Sequence, residues 1–205
     1  MDSINTVLGY FFKGGFAMYP LLLSSLIMFA IGIERFIYYK KEDSGEEFTD
    51  QFCKYIEVDD WTNAKRLADS TKGETAKLAT IVMARHDRFE RLEVFVASRA
   101  ERALNKFERY LGYLDVIVRL APILGLLGTI TGMMSSFTAL NMRSENPMAV
   151  TAGIGEALIT TVFGLCISIV AICFYSYFEQ RLKRISLELE EISNTLLEAI
   201  AKNLD

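Results

Sequence analysis

The chain has 205 residues, 51% of them hydrophobic, with 22 Lys and Arg set against 26 Asp and Glu for a net charge of −4. No basic stripe stands clear of acids, which argues against nucleic-acid binding; a single histidine and three scattered cysteines offer neither a metal cluster nor a disulfide framework. No nucleophile–base pair or phosphate loop is evident, so the composition points away from an enzyme and toward a membrane protein.

Near the start, Ile4, Val7, Leu8, Phe11 and Phe12 repeat at helical spacing until Gly14-Gly15, which predicts an amphipathic helix over 1–15 lying on the outer membrane surface. Residues 16–33 carry no charge and are bracketed by Tyr19 and by Tyr38 and Tyr39, as interfacial aromatics bracket a span. Arg35, Lys40 and Lys41 follow with no small-x-small cleavage site, so this stretch reads as a retained transmembrane helix rather than a signal peptide.

Residues 34–119 read as a cytoplasmic helical domain. Three short helices are expected between Glu46 and Arg85, broken near Asp59-Asp60 and Lys72-Gly73. From Arg88 onward, Phe89, Leu92, Val96, Ala100, Ala103, Phe107, Leu111 and Leu114 keep three-to-four spacing into the next apolar stretch, which predicts one long helix running into the membrane. His86 is read as a solvated helix-surface residue.

The second transmembrane helix is placed at 120–140, an outward loop at 141–150, and the third transmembrane helix within 151–178. Leu120 to Leu140 and Ala157 to Phe178 hold no Lys, Arg, Asp or Glu, and a bilayer core of ~30 Å needs about 20 such residues. Residues 179–205 form a helical extension in which Leu182, Ile185, Leu189, Ile192, Leu196 and Ile200 repeat, with Lys183, Glu188, Glu190 and Glu191 assigned to other faces. The row fits an intramolecular helix pair or an oligomer seam equally well. Pro20 and Pro122 are expected to start or bend helices. Cys53, Cys166 and Cys173 read as small buried hydrophobes. Only Lys13 precedes the first span and only Arg143 lies between the second and third; positive charge stays inside, so the amino end faces outward and the polar bulk and carboxyl end face the cytoplasm. The fold class is therefore all-α: three transmembrane helices, two long helices extending into the cytoplasm, and a small cytoplasmic helical insertion.

Two runs carry the chemistry. Ala121 to Phe137 reads A-P-I-L-G-L-L-G-T-I-T-G-M-M-S-S-F, with Gly125, Thr129, Gly132 and Ser136 on one stripe and Gly128 and Gly132 as a small-xxx-small pair. Gly153 to Leu165 reads G-I-G-E-A-L-I-T-T-V-F-G-L, where Ala157, Thr161, Gly164 and Ser168 make a second small and polar face. These faces suit close helix packing, with hydroxyls bonded to their own i−4 carbonyls, and equally suit a hydrated pathway. Glu156 is the one carboxylate at the edge of a span; it is either functional or an interfacial acid favoured by the helix dipole. Thr160 lies ~40° from Glu156 around a straight helix and Thr161 ~140°, so Glu156 and Thr161 do not share a face.

The three-span layout, the long cytoplasmic loop and both runs resemble the MotA/TolQ/ExbB proton channel family, nearest its ExbB and TolQ branch, over almost the whole chain. MotA-like stators have four spans, whereas this chain shows three. The resemblance implies an inner-membrane homopentamer enclosing two copies of a single-span ExbD or TolR-like partner, a possible TonB-like energy transducer, and proton entry that drives rotation. It carries the family's threonines onto Thr129 and Thr161 and its glutamate onto Glu156, with Thr131 and Thr160 as neighbours of the same chemistry. It also implies that the proton-carrying aspartate belongs to the partner, in keeping with the absence of a mid-span acid here. The competing readings are a sodium-driven stator, a structural membrane scaffold, and a passive channel or transporter with no partner, which would need a titratable group of its own at mid-span.

Overall fold

The computed structural model describes residues 15–84, 92–142 and 147–202, and the side chains of 139–142, 147–152 and 156 lie outside that description. The expected amino-terminal amphipathic helix, His86 and Arg143 likewise fall outside the described residues. Seven helices occur among the described residues, and no strand: α1 (Met18–Glu42), α2 (Glu46–Glu57), α3 (Trp61–Ser70), α4 (Glu74–Met83), α5 (Leu92–Glu108), α6 (Leu111–Met142) and α7 (Pro147–Lys202). Among the described residues three helical stretches, Met18–Glu57, Leu92–Thr138 and Gly153–Lys202, are long and apolar enough to cross a membrane. Helix reaches inward from both ends of the connection expected over 141–150, because α6 continues to Met142 and α7 begins at Pro147 with proline at the position where a helix tolerates it best.

The single helix expected from Arg88 into the membrane is two helices. The chain breaks at Arg109 and Tyr110, where Tyr110 takes a φ of 70°, a left-handed conformation that ends α5 before α6 starts. Phe107, Leu111 and Leu114 are all buried in spite of the break. The apolar period therefore runs on across a backbone interruption, and a period alone cannot report it.

The chain divides into two compact units, Met1–Gly32 with Tyr110–Ser176 and Ile33–Arg109 with Tyr177–Asp205. In the first, Met18, Leu21 and Ala121 form a small core joined by Leu124, Phe163 and Ile167. Phe174 meets Phe29 edge-on at 6.2 Å and lies over Gly32, where a Cβ would come within 3.2 Å of its ring. Leu23, Ile123 and Ile169 stay about three-fifths exposed. Water would penalise such surface, whereas lipid tails do not.

In the second unit α2, α3, α4 and α5 pack in succession. The breaks between the short helices are built by local chemistry. Asp60 caps α3 by accepting from the Asn63 amide at 3.1 Å. Gly73, at φ 127°, allows the chain to pass within 2.8 Å of the Glu42 carbonyl at the Cβ position, and no other residue fits there. The apolar row of α7 is buried at Ile185, Leu189, Ile192, Leu196 and Ile200, and Thr195 donates to Cys53 Sγ at 3.6 Å across to α2.

Arg35 and Tyr39 close the carboxyl end of α5. The Arg35 guanidinium, 2% exposed, donates to the carbonyls of Lys106 (2.8 Å) and Phe107 (3.4 Å), pairs with Glu34 and lies 4.6 Å from the Tyr38 ring centroid. The Tyr39 hydroxyl donates to Phe107 O at 3.0 Å. A cation at a helix carboxyl terminus answers both the unpaired carbonyls and the dipole.

Two expectations about burial are corrected. Cys53 is buried, but Cys166 and Cys173 are exposed, because the packed face of α7 passes through Ala157, Thr160, Gly164 and Ala171 and turns both cysteines away. Glu188, assigned to a face away from the apolar row, is 5% exposed. It is three residues past Ile185 and four before Ile192, which puts it within the apolar row itself.

Candidate functional site

Helices α6 and α7 meet along a seam of small residues that joins both chemistry-bearing runs. A Cβ on Gly164 would stand 2.5 Å from the Ala121 carbonyl oxygen; one on Gly125 would stand 3.0 Å from Thr161 Cα; one on Gly132 would stand 2.8 Å from Ala157 Cβ. On Gly128 it would collide with the Thr160 methyl, and on Gly153 with the Ser136 hydroxyl. The contact partners descend in α7 as they ascend in α6, so the two helices run antiparallel with backbones nearly touching. Only glycine and alanine permit that approach.

Two hydroxyls cross the seam. Thr161 Oγ1 donates to the Gly125 carbonyl at 2.9 Å, and Ser168 Oγ donates to the Val118 carbonyl at 2.7 Å. The second bond has a cause in the sequence. Pro122 lies inside α6 and lacks the N–H that would have reached Val118, four residues earlier. Ser168 fills the vacated position. The role of Ser168 is the one sequence reasoning missed, and its signal was available: a mid-span proline predicts an unclaimed carbonyl at i−4 and hence a donor on the neighbouring helix.

The remaining expected site residues separate into two groups. Thr160 is fully buried, with its methyl packed on Gly128. Thr129, half-buried, turns its hydroxyl onto its own helix at Leu126 O (2.6 Å). Thr131 is exposed and bonds to Leu127 O (3.0 Å) and Gly128 O (3.1 Å). Ser136 likewise bonds within α6, to Gly132 O at 3.0 Å. Gly125, Gly128, Gly132, Ala157, Gly164, Thr160 and Thr161 are therefore brought together on the seam, whereas Thr129 and Thr131 direct their hydroxyl protons to their own helix. Glu156 lies on α7 and its side chain is outside the described residues. Among the described residues no group of His, Cys, Asp and Glu is arranged to hold a metal ion.

The described residues thus form an all-helical chain with three segments long and apolar enough to cross a membrane and a backbone-to-backbone seam between α6 and α7, which defines the class of multi-pass helical membrane proteins. Residues 68–191 match the MotA/TolQ/ExbB proton channel family. The ExbB-like 1 biopolymer transport protein of Synechocystis is 30% identical over 175 residues, covering 82% of this chain and 69% of that protein. The biopolymer transport protein ExbB of Salmonella typhimurium is 33% identical over 112 residues, 52% of this chain and 46% of the relative. The Tol-Pal system protein TolQ of Pseudomonas aeruginosa is 38% identical over 81 residues, 39% and 35% of the two chains. The chain thus spans about two thirds of the first of these relatives and less than half of the other two. It belongs to the MotA/TolQ/ExbB proton channel family.

Proposed function

We propose that this chain is the channel-forming stator subunit of an inner-membrane motor driven by the proton-motive force, and that it energises envelope or outer-membrane transport. In this reading five copies surround two copies of an ExbD or TolR-like single-span partner whose intramembrane aspartate carries the proton. A TonB-like transducer would receive the work. The amino terminus and the connection between α6 and α7 face the periplasm, the Ile33–Arg109 and Tyr177–Asp205 unit lies in the cytoplasm, and spans at 16–33, 120–140 and 151–178 cross the membrane.

The observation that supports this reading is the pairing of a close-packed seam with hydroxyls in and beside it, at Thr161 and Thr129. A carboxylate is costly against apolar walls, and protonation removes most of that cost. Thr129 and Thr161 would be the polar station where the partner's acid is held, with Thr131 and Thr160 its neighbours and Glu156 at the outer edge of the third span. Each proton that crosses releases ~2.3 kcal/mol per 100 mV, several times thermal energy and enough to bias a step.

The test is ion flux in liposomes containing the chain and its single-span partner, under a proton or a sodium gradient. Wild type should pass protons; Thr161→Val should lose flux with the assembly intact; and Thr161→Ser, which restores a hydroxyl, should recover it. Flux that follows sodium would make the complex a sodium-driven stator. An intact complex that passes neither ion would make it a scaffold, and undiminished flux in Thr161→Val would overturn the assignment of that residue.

A further inference from the structure

Glu188 is buried within the apolar row of α7, and neither of its carboxyl oxygens has a hydrogen-bond partner among the described residues. Two other acids act on it from across the packing: Asp43, just beyond α1, and Glu46, at the start of α2. The cations that act on it, Arg184 and Arg181, belong to its own helix. Arg181 pairs with Asp43 instead: its Nη2 lies 2.7 Å from Asp43 Oδ2, that Asp43 side chain is only 6% exposed and also accepts from the Gly45 amide, and the Arg181 Nε is buried without a hydrogen bond to Glu188 or to any other described residue. Arg184 is exposed. An ionised Glu188 would therefore sit dry, facing two carboxylates, with one cation spent elsewhere and the other drawn toward water. A neutral carboxyl group avoids most of that cost.

We propose that Glu188 is a proton-binding site whose occupancy controls how tightly α2 packs on the carboxyl-terminal part of α7, so that this helical unit reads the pH of the compartment around it. The site stands independently of the channel reading. Burial lifts the Glu188 carboxyl to about 7, with Asp43 raising it next most strongly, Glu46 adding to this, and Arg184 and Arg181 opposing. With the folded value above the ordinary carboxylate value, the contribution to stability is complete at acidic pH and is lost as pH rises through about 7. The device would thus respond near neutrality.

Amide hydrogen exchange of residues 46–57, in the full chain held in lipid nanodiscs, tests the proposal. After correction for intrinsic rates, opening of α2 should rise about tenfold between about pH 6 and about pH 8 in wild type. Glu188→Gln should abolish that rise and keep α2 protected at both pH values. Asp43→Asn removes one acid that raises Glu188 and frees Arg181 to neutralise it, so the Glu188 carboxyl should move back toward its ordinary value: the rise between about pH 6 and about pH 8 should shrink, and α2 should be more protected than wild type at about pH 8. Retention of the tenfold rise in Glu188→Gln, or an unchanged profile in Asp43→Asn, would overturn the proposal.

Discussion

Gly164→Ala probes the seam where it is least able to yield. The added Cβ would lie 2.5 Å from Ala121 O, 3.1 Å from Gly125 Cα and 3.2 Å from Gly125 N. All three are backbone atoms of α6, so no side-chain rotation relieves the contact. The helices must part by roughly 1 Å, and overpacking of this kind costs ~1–3 kcal/mol. The same movement stretches the Thr161 to Gly125 bond from 2.9 Å beyond useful length, a further loss of ~0.6–1.7 kcal/mol for a bond between membrane helices. Together the change should destabilise the chain by ~2–5 kcal/mol. Equilibrium unfolding in mixed micelles measures it. A double-mutant cycle with Thr161→Val then separates the two contributions: the double mutant should cost less than the sum of the singles, because Gly164→Ala has already broken the bond that Thr161→Val removes. Wild-type stability in Gly164→Ala, or strict additivity with Thr161→Val, would refute the account of the seam.

Ser168→Ala should cost ~1 kcal/mol by leaving the Val118 carbonyl without a donor, and Pro122→Ala, which restores the missing N–H, should recover most of it in the double mutant; the same unfolding assay reads both. Glu74 gives a pH dependence opposite in sign to that of Glu188. Burial works to raise its carboxyl, but its bonds to Lys106 and Lys77 outweigh this and hold it below the usual 4.5. Its stabilisation is therefore present above that value and lost as pH falls through the lowered one. Because both lysines are about half exposed, Glu74→Gln should cost under ~1 kcal/mol at neutral pH, and the difference from wild type should vanish in acid, as thermal melts across the pH range would record.

The helical architecture was legible in the sequence because uncharged stretches of bilayer length admit few alternatives, and turn residues such as Asp59-Asp60 and Lys72-Gly73 interrupt a period visibly. The small residues of the seam were legible as well, since glycine spacing on a helix fixes which residues share a face, but that spacing also put Thr129 on the stripe of Gly125 and Gly132, and its hydroxyl bonds within its own helix instead. Three features were not. The break at Tyr110 leaves the apolar period intact, and a left-handed tyrosine carries no mark that distinguishes it from a helical one. Arg35 reads as a charge that ends a span, whereas its burial depends on carbonyls of Lys106 and Phe107, some seventy positions along the chain. Glu188 was assigned to a polar face by its chemistry although its number places it among Ile185, Leu189 and Ile192; the geometric rule was the better guide there.

The hydrogen-bond directions at Thr129 and Thr161 limit what a polar station on this wall can recognise. A threonine hydroxyl has one proton and two lone pairs. Thr161 gives its proton to Gly125 O and Thr129 gives its proton to Leu126 O, so what each has left to offer is lone pairs. Lone pairs accept from a protonated carboxyl group but cannot donate to an ionised one. In the proposed motor the wall would then hold the partner's acid in its loaded, neutral form and release it on ionisation, while the proton gradient biases the step. Thr161→Asn tests this against mere polarity, because its amide adds N–H donors able to grip a carboxylate. Flux should fall in Thr161→Asn and persist in Thr161→Ser. If the asparagine variant conducts as well as the serine variant, with both complexes equally stable, donor commitment is irrelevant to the pathway and only polarity matters.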